Sequence, residues 1–217
     1  GYRVVLKTND TFDLYRVNSL RNPPGGCSNS QSGWGTWSIG TAGNAQTLLG
    51  NYANPANGII FLEDTVWVEG QVNSARLTIV SAKFPENPST YTSITVNNNL
   101  IYSNYDGQDV VALMAQNNIN VGLYSANDLK IDAALVAKNG RAGRYYYSSS
   151  CGAEYKRNLI TLYGMIATNQ RYGFSWVCGS TYCSGYATRN INYDGNLLYG
   201  PPPSFPLTSD QYTTISW

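Results

Sequence analysis

Residues 129–135 (LKIDAAL) and 160–166 (ITLYGMI) share one pattern: apolar, any, apolar, any, small, any, apolar. Residues 66–72 (VWVEGQV), 94–100 (ITVNNNL) and 191–197 (INYDGNL) fit it as well, and the five starts lie 28, 35, 31 and 31 residues apart. Alternation with period two puts the apolar positions of each copy on one strand face. A repeat near 31 residues predicts stacked turns, each burying its apolar face only against its neighbours, whereas sandwich strands recur about every 8–12 residues. The expected fold is therefore all-β, a right-handed parallel β-solenoid (β-helix) with capping segments at both ends. The fifth position (Gly70, Asn98, Ala133, Gly164, Gly195) is expected to turn a corner, because it is small or tolerates left-handed backbone angles.

Outward from the repeat, the chain reads as a single domain, 1–217. Residues 1–57 hold strand-like runs at Tyr2 to Leu6 and Phe12 to Val17. An Asn-, Pro-, Gly- and Ser-rich stretch follows, whose Trp34 and Trp37 are expected to cap the first turn. Residues 58–198 form the repeat, and residues 199–217 a Pro-rich ending. Pro201 to Pro203 lack ladder donors and are expected to block the last turn, with Phe205 and Trp217 across its open end.

Only 12% of the 217 residues are charged and the formal net charge is +1, so there is no global pull toward nucleic acid or membrane. No apolar run is long enough to span a bilayer as a helix. The start at Gly1 is read as that of an ectodomain or processed form, joined to a membrane only through a segment outside this chain. Cys27, Cys151, Cys178 and Cys183 form an even set without CxxC spacing, in a chain without His. Disulfides are favoured over zinc. Cys178 with Cys183 makes a tight clip and leaves Cys27 with Cys151, although three connectivities are open to four cysteines. Disulfides place the protein in an oxidising, extracellular setting.

The missing His removes Ser-His-Asp and Cys-His mechanisms. A carbohydrate-active β-helix enzyme, a hydrolase or lyase, would have to work through carboxylates. The pairs are Glu63 with Asp64, Asp106 with Asp109, and Asp128 with Asp132, and each reads more simply as turn chemistry or a solvated outward position. Asn104, Asp106 and Asp109 carry calcium-type oxygens, but Tyr105 and Gly107 interrupt them. The expectation is no catalytic residue, no metal and no cofactor, with calcium the alternative. The local cluster of cations and aromatics is Arg141, Arg144, Tyr145, Tyr146 and Tyr147, continued by Lys156 and Arg157. Arginines interleaved with aromatic faces stack sugars or bases and hold phosphates, so this cluster is the expected DNA or glycan site.

The ending YDGNLLYGPPPSFPLTSDQYTTISW (Tyr193–Trp217) resembles that of bacterial type IV pilus assembly proteins of the minor-pilin kind. ITVNNNLIYSN (Ile94–Asn104) and DVVALMAQNNINV (Asp109–Val121) resemble their Asn-rich β pattern. The resemblance covers roughly residues 58–217. It implies a non-enzymatic surface domain serving adhesion, DNA capture or pilus assembly, with other pilus subunits, DNA or surface glycans as partners. It brings no catalytic residues. The competing readings are the β-helix enzyme and a glycan-binding adhesin.

Overall fold

A computed structural model describes residues 1–205. The protein is all-β: fifteen strands join in one mixed sheet that curls into a half-barrel. Its central part consists of three rows of parallel pairing. The first joins β5 (Val66–Val72), β7 (Ile94–Thr95), β10 (Ile119–Val121) and β12 (Ala142–Arg144), with Val66, Ile94, Ile119 and Ala142 in register. A second row runs from the end of β5 through β8 (Leu100–Tyr102), β11 (Asp128–Ala137), β13 (Lys156–Thr168) and β15 (Thr181–Tyr193). It aligns Gly70, Leu100, Ile131, Leu162 and Ile191. The third joins β4 (Ile59–Leu62), β6 (Arg76–Ser81), β9 (Val110–Ala115) and the far halves of β11 and β13, aligning Ile60, Ile79, Leu113, Leu135 and Ile166. Aliphatic residues from all three rows meet in one continuous core, each fully buried side chain worth roughly 1.5–3 kcal/mol.

The repeat is only partly in phase. The copies at Leu129 and Ile160 stack residue on residue, Ala133 against Gly164 included. The copy at Ile94 starts on Val66, but Gly70 pairs with Leu100 rather than Asn98, because Asn97 to Asn99 contribute two extra residues. Above Ile94 sits Ile119, not Leu129. The last copy is displaced by two: Ile191 lies on Leu162 and half in solvent, and Leu197 belongs to a short 3-10 turn, Gly195–Leu198. The fifth position is also not a general corner, since Ala133 and Gly164 lie within strands. Gly164, at φ 154°, lets the backbones approach closely, and a Cβ there would stand 2.0 Å from the Ala133 carbonyl oxygen.

Antiparallel strands flank the rows. β1 (Tyr2–Leu6) pairs in parallel with β5, then β2 (Thr11–Val17) and β3 (Gln46–Ala53) follow antiparallel. These strands, rather than the tryptophans, cover the open edge of β5. Residues 21–45 instead run as a strap along the side of the rows. The Trp37 carbonyl accepts from Trp67 Nε1 at 3.1 Å and from Asn97 Nδ2 at 2.6 Å, and the Trp34 ring lies 5.9 Å from that of Tyr147. The Cys27–Cys151 disulfide fastens the strap, and Cys178–Cys183 closes the hairpin of β14 (Ser175–Cys178) with β15.

The proline run also departs from its expected place. Arg76 Nη2 donates to the Pro201 carbonyl at 2.7 Å and Thr78 Oγ1 donates to that of Pro203, so residues 201–203 lie along β6. Phe205 packs with Val110, Ala112 and Ala134 on the flank. Trp217 lies outside the described residues. Ala187 to Tyr193 at the far end are all exposed, paired with β13 on one side.

Candidate arginine and aromatic site

The segment 141–157 divides between interior and surface. Arg144 is fully buried at the end of β12. Its Nε donates to the Gly122 carbonyl at 3.3 Å, Nη1 to Tyr155 at 3.1 Å, and Nη2 to Leu123 at 3.1 Å and Glu154 at 2.7 Å. The guanidinium also lies 4.7 Å from the Tyr147 ring centroid and 6.0 Å from that of Tyr186. Burial holds Arg144 below the usual arginine range, while the carbonyls and ring faces retain the charge. This buried cation ties the loop carrying Glu154 and Tyr155 to the turn at Gly122.

Tyr147 is buried too, donating from its hydroxyl to the Gly35 carbonyl of the strap at 2.7 Å, and burial pushes its phenol up. Tyr145 is buried beneath Arg141, whose guanidinium stands 4.5 Å from its ring centroid. Half-buried Arg157 donates to the Leu123 carbonyl at 3.2 Å and is lowered by desolvation. Lys156 sits between the rings of Tyr155 and Tyr182, 5.4 and 5.0 Å away. Tyr146 is half-buried against Trp176, its backbone held by Gln31, Asn29 and Trp34. Of the seven residues expected to form one binding face, Arg144, Tyr145 and Tyr147 are therefore interior, because the strap and the 148–157 loop close over them.

Arg141 remains accessible and gains neighbours that the local sequence does not reveal. The backbones of Gln170 and Gly173 hydrogen-bond to Gly140 and Ala142, which places the segment of Arg171 and Tyr172 alongside that of Arg141. Arg141, Arg171, Tyr172 and Trp176 line one depression, and Arg171, Tyr172, Val177, Arg189 and Ile191 line an adjoining one. Among the described residues, none of these three arginines makes an ion pair and no carboxylate lines either depression. The 30-residue spacing of Arg141 and Arg171, close to the length of the sequence repeat, is the available signal. Arg189 has no such mark.

The carboxylates have other work. Asp132 is fully buried. Its Oδ2 accepts from the Tyr102 N–H at 3.0 Å and the Tyr105 hydroxyl at 2.6 Å, with Lys130 Nζ 3.6 Å away. It does point away from the aliphatic core, but the Tyr105 loop covers it. Buried Asp109 accepts from the backbone N–H groups of Ala75 and Asn104, and Asp106 from that of Gln108. Their oxygens thus serve the turn expected as a calcium alternative. Asp64 pairs with the amino terminus and Arg16, and Asp128 accepts from Asn158. Among the described residues, no three His, Cys, Asp or Glu side chains gather as a metal site.

Comparison with known proteins yields no match to a family model, a curated protein or a solved structure.

Proposed function

We propose that this chain is a non-enzymatic, extracellular binding domain, built as a right-handed parallel β-solenoid, that holds an anionic polymer on the surface of its last two turns. The solenoid reading is supported by the three parallel rows, each of which returns to its own register after one turn; right-handed crossovers are the rule for such parallel connections. Two disulfides fit an oxidising compartment. No described helix is long and apolar enough to cross a membrane.

The observation that carries the binding reading is the grouping of Arg141 and Arg171 beside Tyr172 and Trp176, with Arg189 in the adjoining depression, none of them in an ion pair among the described residues. Unpaired guanidinium groups recruit phosphates, and interleaved rings stack bases, a combination suited to single-stranded DNA. Asp109, with both oxygens hydrogen-bonded, and Asp132, with Oδ2 hydrogen-bonded and Oδ1 buried without a partner, are both closed off from solvent, which favours this reading over carboxylate catalysis. In cellular terms the domain is a pilus-associated subunit of the minor-pilin kind that captures DNA and contacts other pilus subunits; its support is the resemblance of the Pro-rich ending. A prepilin-type leader and apolar helix in the gene upstream of Gly1 would sustain that assignment, and an unrelated upstream domain would remove it.

The binding test is fluorescence anisotropy with a labelled oligothymidylate across a salt series. Replacing Arg141, Arg171 and Arg189 together by Ala is expected to weaken binding at least 10-fold. It should also flatten the log–log salt slope by about 2, near 0.7 per lost phosphate contact on a single strand. Unchanged affinity and slope would refute the site.

A further inference from the structure

The sheet ends in two strand edges that correspond to each other. At one end β3 pairs only with β2. At the other, β14 lies against β15 as far as Gly185, and from Thr188 to Tyr193 β15 pairs only with β13. Among the described residues no strand covers the outer side of either edge. β3 runs antiparallel to β2, and β2 to β1, whereas β1, β5, β8, β11, β13 and β15 are mutually parallel, so the two edge strands point the same way. One line of paired residues joins them: Tyr52, Phe12, Leu6, Gly70, Leu100, Ile131, Leu162 and Ile191 are successive partners from edge to edge. The side chains inside this line are buried, while Tyr52 and Ile191 at its ends are 45% and 43% exposed. A single apolar file thus stops half-covered at both edges.

The edges are lightly guarded. Edge strands of monomers are commonly blunted by Lys, Pro or inward-pointing charges. β3 (QTLLGNYA) has none of these and exposes Leu48 and Leu49 besides Tyr52. Its one irregularity is a bulge at Leu49, which leaves Gly50 to Ala53 as a regular stretch. The free part of β15, Ala187 to Tyr193 (ATRNINY), carries one charge, Arg189, and exposes Tyr193 besides Ile191.

We infer that the partner for these edges is a second copy of this chain, docked head to tail, with Gly50 to Ala53 of one copy added in parallel to Arg189 to Asn192 of the next. Continuing the line sets Tyr52 on Ile191 and covers both. It also sets Arg189 beside Gly50, which has no side chain to obstruct it, and Asn51 against Asn190, amides that form ladders along parallel strands. A foreign strand would have to match the direction and the apolar file at each edge separately, whereas the chain's own opposite end already does. The contact joins two different surfaces, so it does not close on itself and propagates as an open series. Four residues per strand bury less than the ~1,000 Å² of a stable complex, so each contact is weak, with a Kd on the order of 0.1–1 mM.

Sedimentation of the intact chain from about 10 µM to about 1 mM, without oligonucleotide, tests this independently of the polymer surface. The weight-average mass is expected to climb with concentration past that of a dimer. Tyr52→Lys and Ile191→Lys each put a charge at an exposed position of one edge, so each variant alone should stay monomeric and melt like the parent. Mixed, the two should form a 1:1 dimer and nothing larger, because each keeps the edge that the other lost. A parent that is monomeric throughout would overturn the proposal. So would a parent that stops at a dimer, or an Ile191→Lys variant that dimerises by itself, since either means that an edge pairs with its own counterpart. Mixed variants that remain monomeric while the parent associates would place the contact elsewhere and overturn it as well.

Discussion

Arg141 and Arg144 stand three residues apart on the same strand approach and serve opposite ends. Arg144 turns inward, where four carbonyls and two ring faces enclose it. Arg141 lies over a single ring and joins Arg171 and Arg189 on an outer face that no carboxylate lines among the described residues. The same residue type is thus a structural cation in one place and a recruiting charge in the other. What separates them is whether the strap and the 148–157 loop close over the side chain. Substitutions that remove the first should destabilise the fold, and those that remove the second should only disarm it.

The sharpest contrast comes from Arg144→Ala. Four carbonyl partners would lose their donor in a buried site, and a loss of roughly 3–5 kcal/mol is expected, read as a lowered urea midpoint. Arg141→Ala in the same assay should stay within about 0.5 kcal/mol. Equal losses from the two would mean that enclosure does not separate their roles. Next comes the fastening of the strap. Cys27→Ser with Cys151→Ser opens a link across 124 residues and should cost about 2–5 kcal/mol, whereas opening Cys178–Cys183, a separation of 5, should cost clearly less.

Alkaline pH probes the same enclosed side. Burial raises the phenols of Tyr102 and Tyr147, and lifts Tyr186 to about 12. A raised acid in the folded state means that the unfolded chain loses its proton first. The stability contributed by these residues is full below pH 10 and is lost as pH climbs through the folded values. Each contributes up to about 1.4 kcal/mol per pH unit. The lowered Arg144 and Arg157 act in the opposite sense, since relief of their buried charge at high pH favours the folded state, but they are two groups against three. Urea midpoints should therefore fall from pH 10 to 12, and Tyr186→Phe should make the fall shallower. The smallest effect is expected for Asp128→Asn, an exposed carboxylate whose loss should shift stability by less than about 0.5 kcal/mol. Asp132→Asn, by contrast, disturbs a buried acceptor of two donors and should cost about 1–3 kcal/mol.

Much of the framework is legible from residue patterns. The alternation in Tyr2–Leu6 and Thr11–Val17 marks β1 and β2, the stacked copies at Leu129 and Ile160 mark β11 and β13, and cysteine spacing favours the two disulfides that form. The phase of the other copies is hidden because Asn97 to Asn99 lengthen one turn by two residues without changing the apolar rhythm. The paths of residues 21–45 and 201–203 are hidden for another reason. Both segments are fixed by carbonyl contacts to distant rows, through Trp37, Pro201 and Pro203, and a backbone acceptor leaves no trace in side-chain pattern. The site suffers from the same blindness. RAGRYYY reads as one face, yet the carbonyls of Glu154 and Tyr155 draw Arg144 inside, and parallel register brings Arg171 to Arg141 from 30 residues away.

Covalent footprinting of arginines with phenylglyoxal, read by mass spectrometry with and without a single-stranded oligonucleotide, tests the division of labour most directly. Arg141, Arg171 and Arg189 should react in the free protein and become protected by the oligonucleotide, while Arg144 stays unreactive in both. Labelling of Arg144 in the native protein, or reactivity of the outer three that the oligonucleotide leaves unchanged, would contradict the account.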